Sequence, residues 1–275
     1  MIKHIITSGC SYSEPHLWPK YLQKELPNIK FYNFGIEGMG NEYISRSIFL
    51  GVNNLLKLGI NYDEILVLSC WSSFFRLQSS FNTSNVSHNH QLQYSNENID
   101  GIPTNALNFK FLIENRIIDE YDMLYRGLES IVSTQNLLKL NKINFMFFTH
   151  MNNFVLKSWN TRSSSPPTLE SCRPSNTWTA STIFKKLPEN FLINNVNCIS
   201  MFENLIDWDH WWFYEVFGKV KYGGIAEWMF YNDPTNAYLE HEVEEGNLPG
   251  HPTQQGHKNF VKTILINLVN KKYEC

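Results

Sequence analysis

The stretch Glu64 to Cys70, E-I-L-V-L-S-C, constrains this chain more than any other. An apolar run of strand length with no polar face fits a strand buried on both sides, as in a parallel sheet covered by helices. The surrounding segments repeat the theme. Ile2 to Thr7 is a second β-branched run that ends abruptly at Ser8-Gly9-Cys10-Ser11, and Trp18, Leu22 and Leu26 then recur at helical spacing. Pro19 suits a first helical turn, where its missing N–H would be unpaired anyway. Lys30 to Phe34 reads as a short strand, and Gly35-Ile36-Glu37-Gly38-Met39-Gly40-Asn41 as the glycine-rich loop behind it. Asn41 is placed to N-cap a helix with Ile44, Ile48, Val52, Leu55 and Leu56 on its buried stripe. A long helix over Ile117, Tyr121, Leu124, Leu128, Ile131 and Leu138 precedes another strand, Ile143 to Thr149. Strands alternating with helices predict an α/β fold, a mostly parallel sheet between two helical layers.

Two stretches break the pattern. From Gln78 to about Asn108 the chain is rich in Ser, Asn, Gln and His, and from Met151 to Thr179 it includes Ser163-Ser164-Ser165-Pro166-Pro167; both read as loop insertions. Asn195 to Met201 is a further candidate strand. An aromatic-dense segment follows, with Trp208, Trp211, Trp212, Phe213, Tyr214, Phe217, Trp228, Phe230 and Tyr231. It reads as a small core pinning a long excursion, with a ring-lined cleft as the alternative. A single domain over residues 1–275 is expected, with insertions near 78–108, 151–180 and 202–247.

With a net charge of -3 and no basic block, the 275-residue chain gives no electrostatic case for nucleic acid. Its longest apolar runs are too short for a membrane span. Met1-Ile2-Lys3-His4 enters a strand directly, without the regions of a secretion signal, so a cytoplasmic location is expected. Five cysteines, odd in number and without C-x-x-C spacing, predict reduced thiols. No cofactor is expected. His88 and His90 have a ligand-like spacing but lack acidic or cysteine partners, so no metal site is expected either.

The turn after the first strand stands where α/β proteins collect ligands, because a helix N-terminus offers free N–H groups there. Ser11 is therefore a candidate nucleophile. A hydroxyl nucleophile needs a base within hydrogen-bond reach, about 3 Å, and N–H donors for the oxyanion that forms. His251, in the loop Gly250-His251-Pro252 before the terminal helix, is the histidine in a suitable context.

These segments resemble the SGNH (GDSL-like) hydrolase family. Gly9-Cys10-Ser11-Tyr12-Ser13 resembles its first block, G-D-S-x-S/T; Gly38 matches the second-block glycine; and His251-Pro252-Thr253-Gln254-Gln255-Gly256-His257 resembles the closing H-P-x-x-x-G-[HY]. The resemblance implies a flavodoxin-like three-layer α/β/α sandwich. It also implies a catalytic Ser11-His251 pair and an oxyanion hole of Ser11 and Gly38 N–H groups, with Ser72 in the third-block position. Three departures accompany it. Cys10 replaces the first-block Asp, as in phage and bacterial relatives reading G-C-S-[FY]; Cys70-Trp71-Ser72-Ser73 lacks the third-block Asn; and Leu248 and Pro249 occupy the places of the triad acid. Asn41 and Ser73 are further oxyanion candidates, Arg76 and Asn41 candidate substrate-binding residues, and Glu240, Glu242 and Asp209 candidate acids.

The expected function is a serine esterase cleaving a carboxylic ester, with O-acetyl groups on carbohydrate as the substrate class that the resemblance implies. The expected partner is then a small-molecule or glycan ester, with no nucleic acid and no membrane. The sequence is silent on oligomeric state. The alternative is a weakly active or inactive SGNH-like module that binds glycan or belongs to a virion.

Overall fold

The computed structural model describes residues 1–37, 39–72, 76–78, 91–93, 120–151, 202, 204–216, 220–237 and 251–273. In chain order the elements are β1 (His4–Gly9), α1 (Trp18–Glu25), β2 (Lys30–Asn33), α2 (Asn41–Lys57), β3 (Ile65–Trp71), β4 (Arg76–Gln78) and β5 (Gln91–Gln93). There follow α3 (Glu120–Leu140), β6 (Asn144–Thr149), β7 (Tyr214–Val216), β8 (Val220–Gly223) and α4 (Ile225–Asn232). The chain closes with α5 (Pro234–Ala237), α6 (Gln254–Phe260) and α7 (Ile266–Tyr273).

A four-stranded parallel sheet in the order β2-β1-β3-β6 forms the centre. All seven residues of β3 are buried, as its unbroken apolar run predicts. Successive side chains on a strand point to opposite faces, and the sheet uses both. Ile5, Leu66, Leu68, Met146 and Phe148 pack with α1, α4, α6 and α7 on one side, where Trp18 and Phe260 meet Phe148. Ile6, Val67, Phe145 and Phe147 pack with α2 and α3 on the other. Each such fully buried side chain contributes about 1.5–3 kcal/mol of transfer free energy. The fold is thus α/β, a parallel sheet between helical layers, and its register aligns Gly9 with Cys70 and Trp71 with Thr149. The turns leaving β1 and β3 therefore emerge side by side.

The structure departs from the sequence reading at four places. Gly40, not Asn41, is the N-cap of α2; the Asn41 side chain is used elsewhere, as described below. The stretch opening at Gln78 is not wholly loop, because β4 and β5 pair as an antiparallel ribbon apart from the main sheet. The terminal helix passes through a π-helical segment, Val261–Leu265. The sequence places Phe260, Val261, Ile264, Leu265 and Leu268 on one apolar side of this helix; the wider turn shifts that stripe, so that Val269 and Tyr273 take buried places while Ile264 and Leu268 are only partly buried. The aromatic segment does pin its excursion to the domain, but its rings join both faces of the main core instead of forming one cluster. Trp211 bridges Phe147 and the Trp212 N–H donates to the Phe147 carbonyl (2.8 Å), fixing this extended piece along β6. Its alternating side chains then divide, Trp211 and Phe213 going to the α2/α3 side and Trp212 to the Phe260 side. The candidate strand Asn195 to Met201 and most of the two insertions lie outside the described residues. Among the described residues no helix is long and apolar enough to cross a membrane.

Near the Ser11 turn, Gly9 and Gly35 are required by close approach. A Cβ on Gly9 would lie 2.1 Å from Ser13 Oγ, and one on Gly35 1.8 Å from the Ser13 carbonyl oxygen. The second contact is with backbone, which cannot rotate away. Gly35→Ala is expected to destabilise the fold by about 1–3 kcal/mol, the usual cost of overpacking, measured as a lower urea midpoint with unchanged m-value.

Candidate active site

Ser11 opens a single 3-10 turn, Ser11–Ser13, at the carboxyl end of β1, and all three residues of the turn are buried. What holds this turn is largely Asn33, at the end of β2. Asn33 Oδ1 accepts from Thr7 Oγ1 (2.9 Å) and from the Gly35 N–H (2.8 Å), while its Nδ2 donates to the Ser13 carbonyl (3.1 Å). Trp18 Nε1 donates to Ser13 Oγ (3.1 Å), which ties the turn to α1. Every hydrogen-bonding atom of the Asn33 amide head is thus engaged in aligning β1, the β2 loop and the Ser11 turn. Sequence reading missed Asn33. Its signal was an Asn directly before Phe-Gly at a strand end, where an amide commonly bonds to backbone two residues on.

His251 arrives from the far end of the sequence. Thr253 caps α6, its Oγ1 accepting from the Gly256 N–H (3.0 Å) and donating to Asn236 Oδ1 (2.9 Å), and the Thr253 N–H donates to the Asn236 carbonyl (3.0 Å). Asp233 holds that assembly by accepting from Asn236 Nδ2 (2.8 Å) and Asn259 Nδ2 (2.7 Å). Tyr21 on α1 donates to Gln254 Oε1 (3.2 Å). So α5, α6 and α1 together fix the His251 loop. The outcome is a Ser11 Oγ to His251 Nε2 distance of 2.7 Å, with Ser11 almost fully buried and His251 half-buried. That is hydrogen-bond contact.

Of the other candidates, Ser72 and Asn41 are brought together. The Ser72 N–H donates to Asn41 Oδ1 at 2.8 Å, joining the turn after β3 to the first turn of α2. Asn41 is buried, and its Nδ2 finds no hydrogen-bond partner among the described residues. Arg76 begins β4, on the ribbon opposite Gln93; its side chain lies outside the described residues. Gly38, Ser73, Leu248, Pro249, Glu240, Glu242, His88 and His90 also lie outside them. Asp209 is not brought to His251. It sits in a short turn where its carbonyl accepts from Lys272 Nζ (2.7 Å), at the opposite end of the terminal helical segment. Cys10 and Cys70 are in no disulfide and are buried in the core beside the turn. Among the described residues no group of His, Cys, Asp and Glu could hold a metal ion.

Among the described residues, several further titratable groups lie near the contact. His257, a turn and a half along the chain from His251, is fully buried, and both ring nitrogens lack partners among the described residues. Burial, with help from the nearby His251 and His16, pushes its pKa down to about 3, so it is neutral at physiological pH. His150, at the end of β6, donates from Nδ1 to the Trp71 carbonyl (3.2 Å). Burial raises the Glu14 carboxyl above its usual range even though His16 stands 3.5 Å away.

The fold and this site define a class: an α/β protein with a serine–histidine contact at the carboxyl end of its central strand. No family model matches the chain, and no curated protein matches it in sequence. Among solved structures it is similar to a proposed acylhydrolase of Bacteroides fragilis NCTC 9343. The identity is 14% and the TM-score 0.40, over 98% of this chain and 88% of that one.

The neutral His257 sets a pH dependence whose sign is fixed. Its folded pKa lies below the unfolded value of 6.5, so between those values the unfolded chain binds the extra proton and stability falls as pH falls. From pH 7 to pH 5 this contributes a loss of about 2 kcal/mol. His257→Leu is expected to remove that part of the slope in urea unfolding measured across pH; an unaltered slope would contradict the assignment.

Proposed function

We propose that the protein is a serine ester hydrolase of the SGNH type that cleaves a carboxylic ester, an O-acetyl group on carbohydrate being the substrate class. The observation that carries this reading is the 2.7 Å contact between Ser11 Oγ and His251 Nε2. Its setting supports the reading, because the serine heads a buried turn at the sheet's carboxyl end.

With Nδ1 carrying the imidazole proton, Nε2 accepts the Ser11 hydroxyl proton as Oγ attacks the acyl carbonyl carbon. The carbonyl π-bond opens and its electron pair moves to oxygen. Collapse of that tetrahedral oxyanion expels the alcohol, which takes the proton back from Nε2. Water then repeats the sequence on the acyl-serine and releases the acid. The oxyanion donors are the Ser11 and Gly38 N–H groups, joined by a side chain. We assign that third donor to Asn41 in preference to Ser72. The Ser72 N–H holds Asn41 Oδ1, which orients the amide and leaves Nδ2 as the end that can donate. A donor without a ground-state partner costs no bond when the oxyanion forms. Ser72 thus serves the hole by positioning Asn41.

Ser11→Ala is expected to lower p-nitrophenyl acetate hydrolysis by at least about 1000-fold and to abolish labelling by a fluorophosphonate. Asn41→Ala should lower kcat by about 100-fold with little change in KM, as for loss of one oxyanion donor. Hydrolysis unaffected by Ser11→Ala would remove the serine from the chemistry. Absence of labelling in the wild-type chain together with glycan binding would identify a binding module instead.

A further inference from the structure

The loop that carries His251 is tied to the sheet through an acid that sequence reading passed over. Asp233 follows α4 directly, and α4 is itself seated on the chain just past β6, where the Ala226 N–H donates to the His150 carbonyl (2.9 Å). At the other end of α4 the Asp233 N–H donates to the Met229 carbonyl (2.7 Å). From there the carboxylate divides. One oxygen accepts from Asn236 Nδ2 (2.8 Å) and the other from Asn259 Nδ2 (2.7 Å), so it holds α5 and α6 at once. Asn236 passes the hold on, because its Oδ1 and its carbonyl accept from the hydroxyl (2.9 Å) and the N–H (3.0 Å) of Thr253, two residues from His251. The fit is close: a Cβ on Gly256 would lie 2.7 Å from the Asn236 carbonyl oxygen.

A carboxylate suits this junction because of the donors it meets. Both neighbours are primary amides that present N–H groups, and an ionised carboxyl accepts on both oxygens and donates nothing. Hydrogen bonds to a charged acceptor are also roughly twice as strong as those between neutral groups. A neutral amide at 233 would have to turn an N–H towards one of the two amide N–H groups, and that arm of the junction would open.

We propose that Asp233 is a positioning residue for His251: through Asn236 and Thr253 its carboxylate sets the place of the His251 loop relative to Ser11. It acts on the loop and not on the ring, so the role holds whichever group meets His251 Nδ1. The inference rests on the esterase reading for its effect on turnover, and it names the acid that sustains the geometry of the pair.

The test exchanges the two partners. Asp233→Asn sets an N–H against an N–H, and Asn236→Asp sets a carboxylate against a carboxylate. The double variant restores every bond: the amide now at 233 accepts from Asn259 and donates to the carboxylate now at 236, which still accepts from Thr253 Oγ1. Each single variant should lower kcat for p-nitrophenyl acetate by about 10- to 100-fold with KM changed less than about threefold, as for a misplaced reacting group. The double variant should return to within about threefold of the wild type. The same set is read without turnover in the nitrogen NMR shift of His251 Nε2, which the Ser11 hydrogen bond displaces from its value in Ser11→Ala. Each single variant should move towards the Ser11→Ala value, and the double variant back to that of the wild type. If a single variant fails to fold, Thr253→Asp takes its place, since it still caps α6 but offers Asn236 Oδ1 no donor. A residue that only held the fold together would lower the melting temperature and leave kcat and the Nε2 shift of the folded protein unmoved, which would overturn the proposal. A double variant no better than the single ones would do the same. A chain that hydrolyses no ester but shows the loss and recovery of the Nε2 shift would refute the esterase reading alone.

Discussion

One primary amide carries the carboxyl end of the sheet. Asn33 accepts from Thr7 and Gly35 and donates to Ser13, so three segments that approach from different directions share a single planar group. A planar amide with two acceptor lone pairs and two N–H donors can satisfy such a junction where no aliphatic residue could. The junction also requires backbone to approach backbone closely, and the bare Cα positions of Gly9 and Gly35 allow it. Remove either condition and the Ser11 turn loses its floor. The direction of the serine hydroxyl follows from packing in the fold, before any substrate arrives, which is the preorganisation that a reacting group needs.

The histidine half of the contact has an independent anchor. Asp233, Asn236 and Thr253 link α5 to the first turn of α6, and Gln254 is tied to α1 through Tyr21. Ser11 and His251 are 240 positions apart in sequence, yet each is fixed within its own short network. A contact of 2.7 Å between two such groups requires the networks to agree with each other, and the agreement runs through the buried layer of Trp18, Phe148 and Phe260. Core and site are in this sense one structure: a change of volume in that layer would be felt as a change in the Ser11–His251 distance.

Much of the fold was legible because its signal is periodic. The β3 run could only be a doubly covered strand, and Trp18, Leu22 and Leu26 could only share one helical face. Burial follows both patterns. What the sequence hid was non-periodic. Asn41 reads as an N-cap because capping is the commonest use of an Asn ahead of an apolar helix, but tertiary contact with Ser72 overrides that local preference. The π-helical segment in the terminal helix leaves no mark in the residue pattern, and it re-phases everything after Leu265. The aromatic segment misled for a different reason. Ring density signals burial without saying on which side, and only the pairing of Trp211 and Trp212 with Phe147 divides the rings between the two faces. At the site, Ser11 and His251 were readable from loop context. Asn33, Thr253 and Asn236 were not, because an amide or hydroxyl that bonds to backbone has no fixed spacing.

The electrostatic character of the described site follows from the same choices. Among the described residues, the groups placed about the contact include an amide on Ser72, a phenol on Gln254 and an imidazole kept neutral by burial. A charge placed in such surroundings is weakly screened, so its energy depends on dipoles and ring quadrupoles already fixed in place. Under the esterase reading an oxyanion and an imidazolium form a few ångströms apart, and what such a pair asks of the groups around it is orientation. That requirement is geometric. Around Ser11 and His251 it is met in two ways: by amides and hydroxyls bonded to backbone, at Asn33, Asn41 and Thr253, and by side-chain pairs, Thr7 with Asn33, Trp18 with Ser13 and Tyr21 with Gln254, each of which fixes the direction of a dipole.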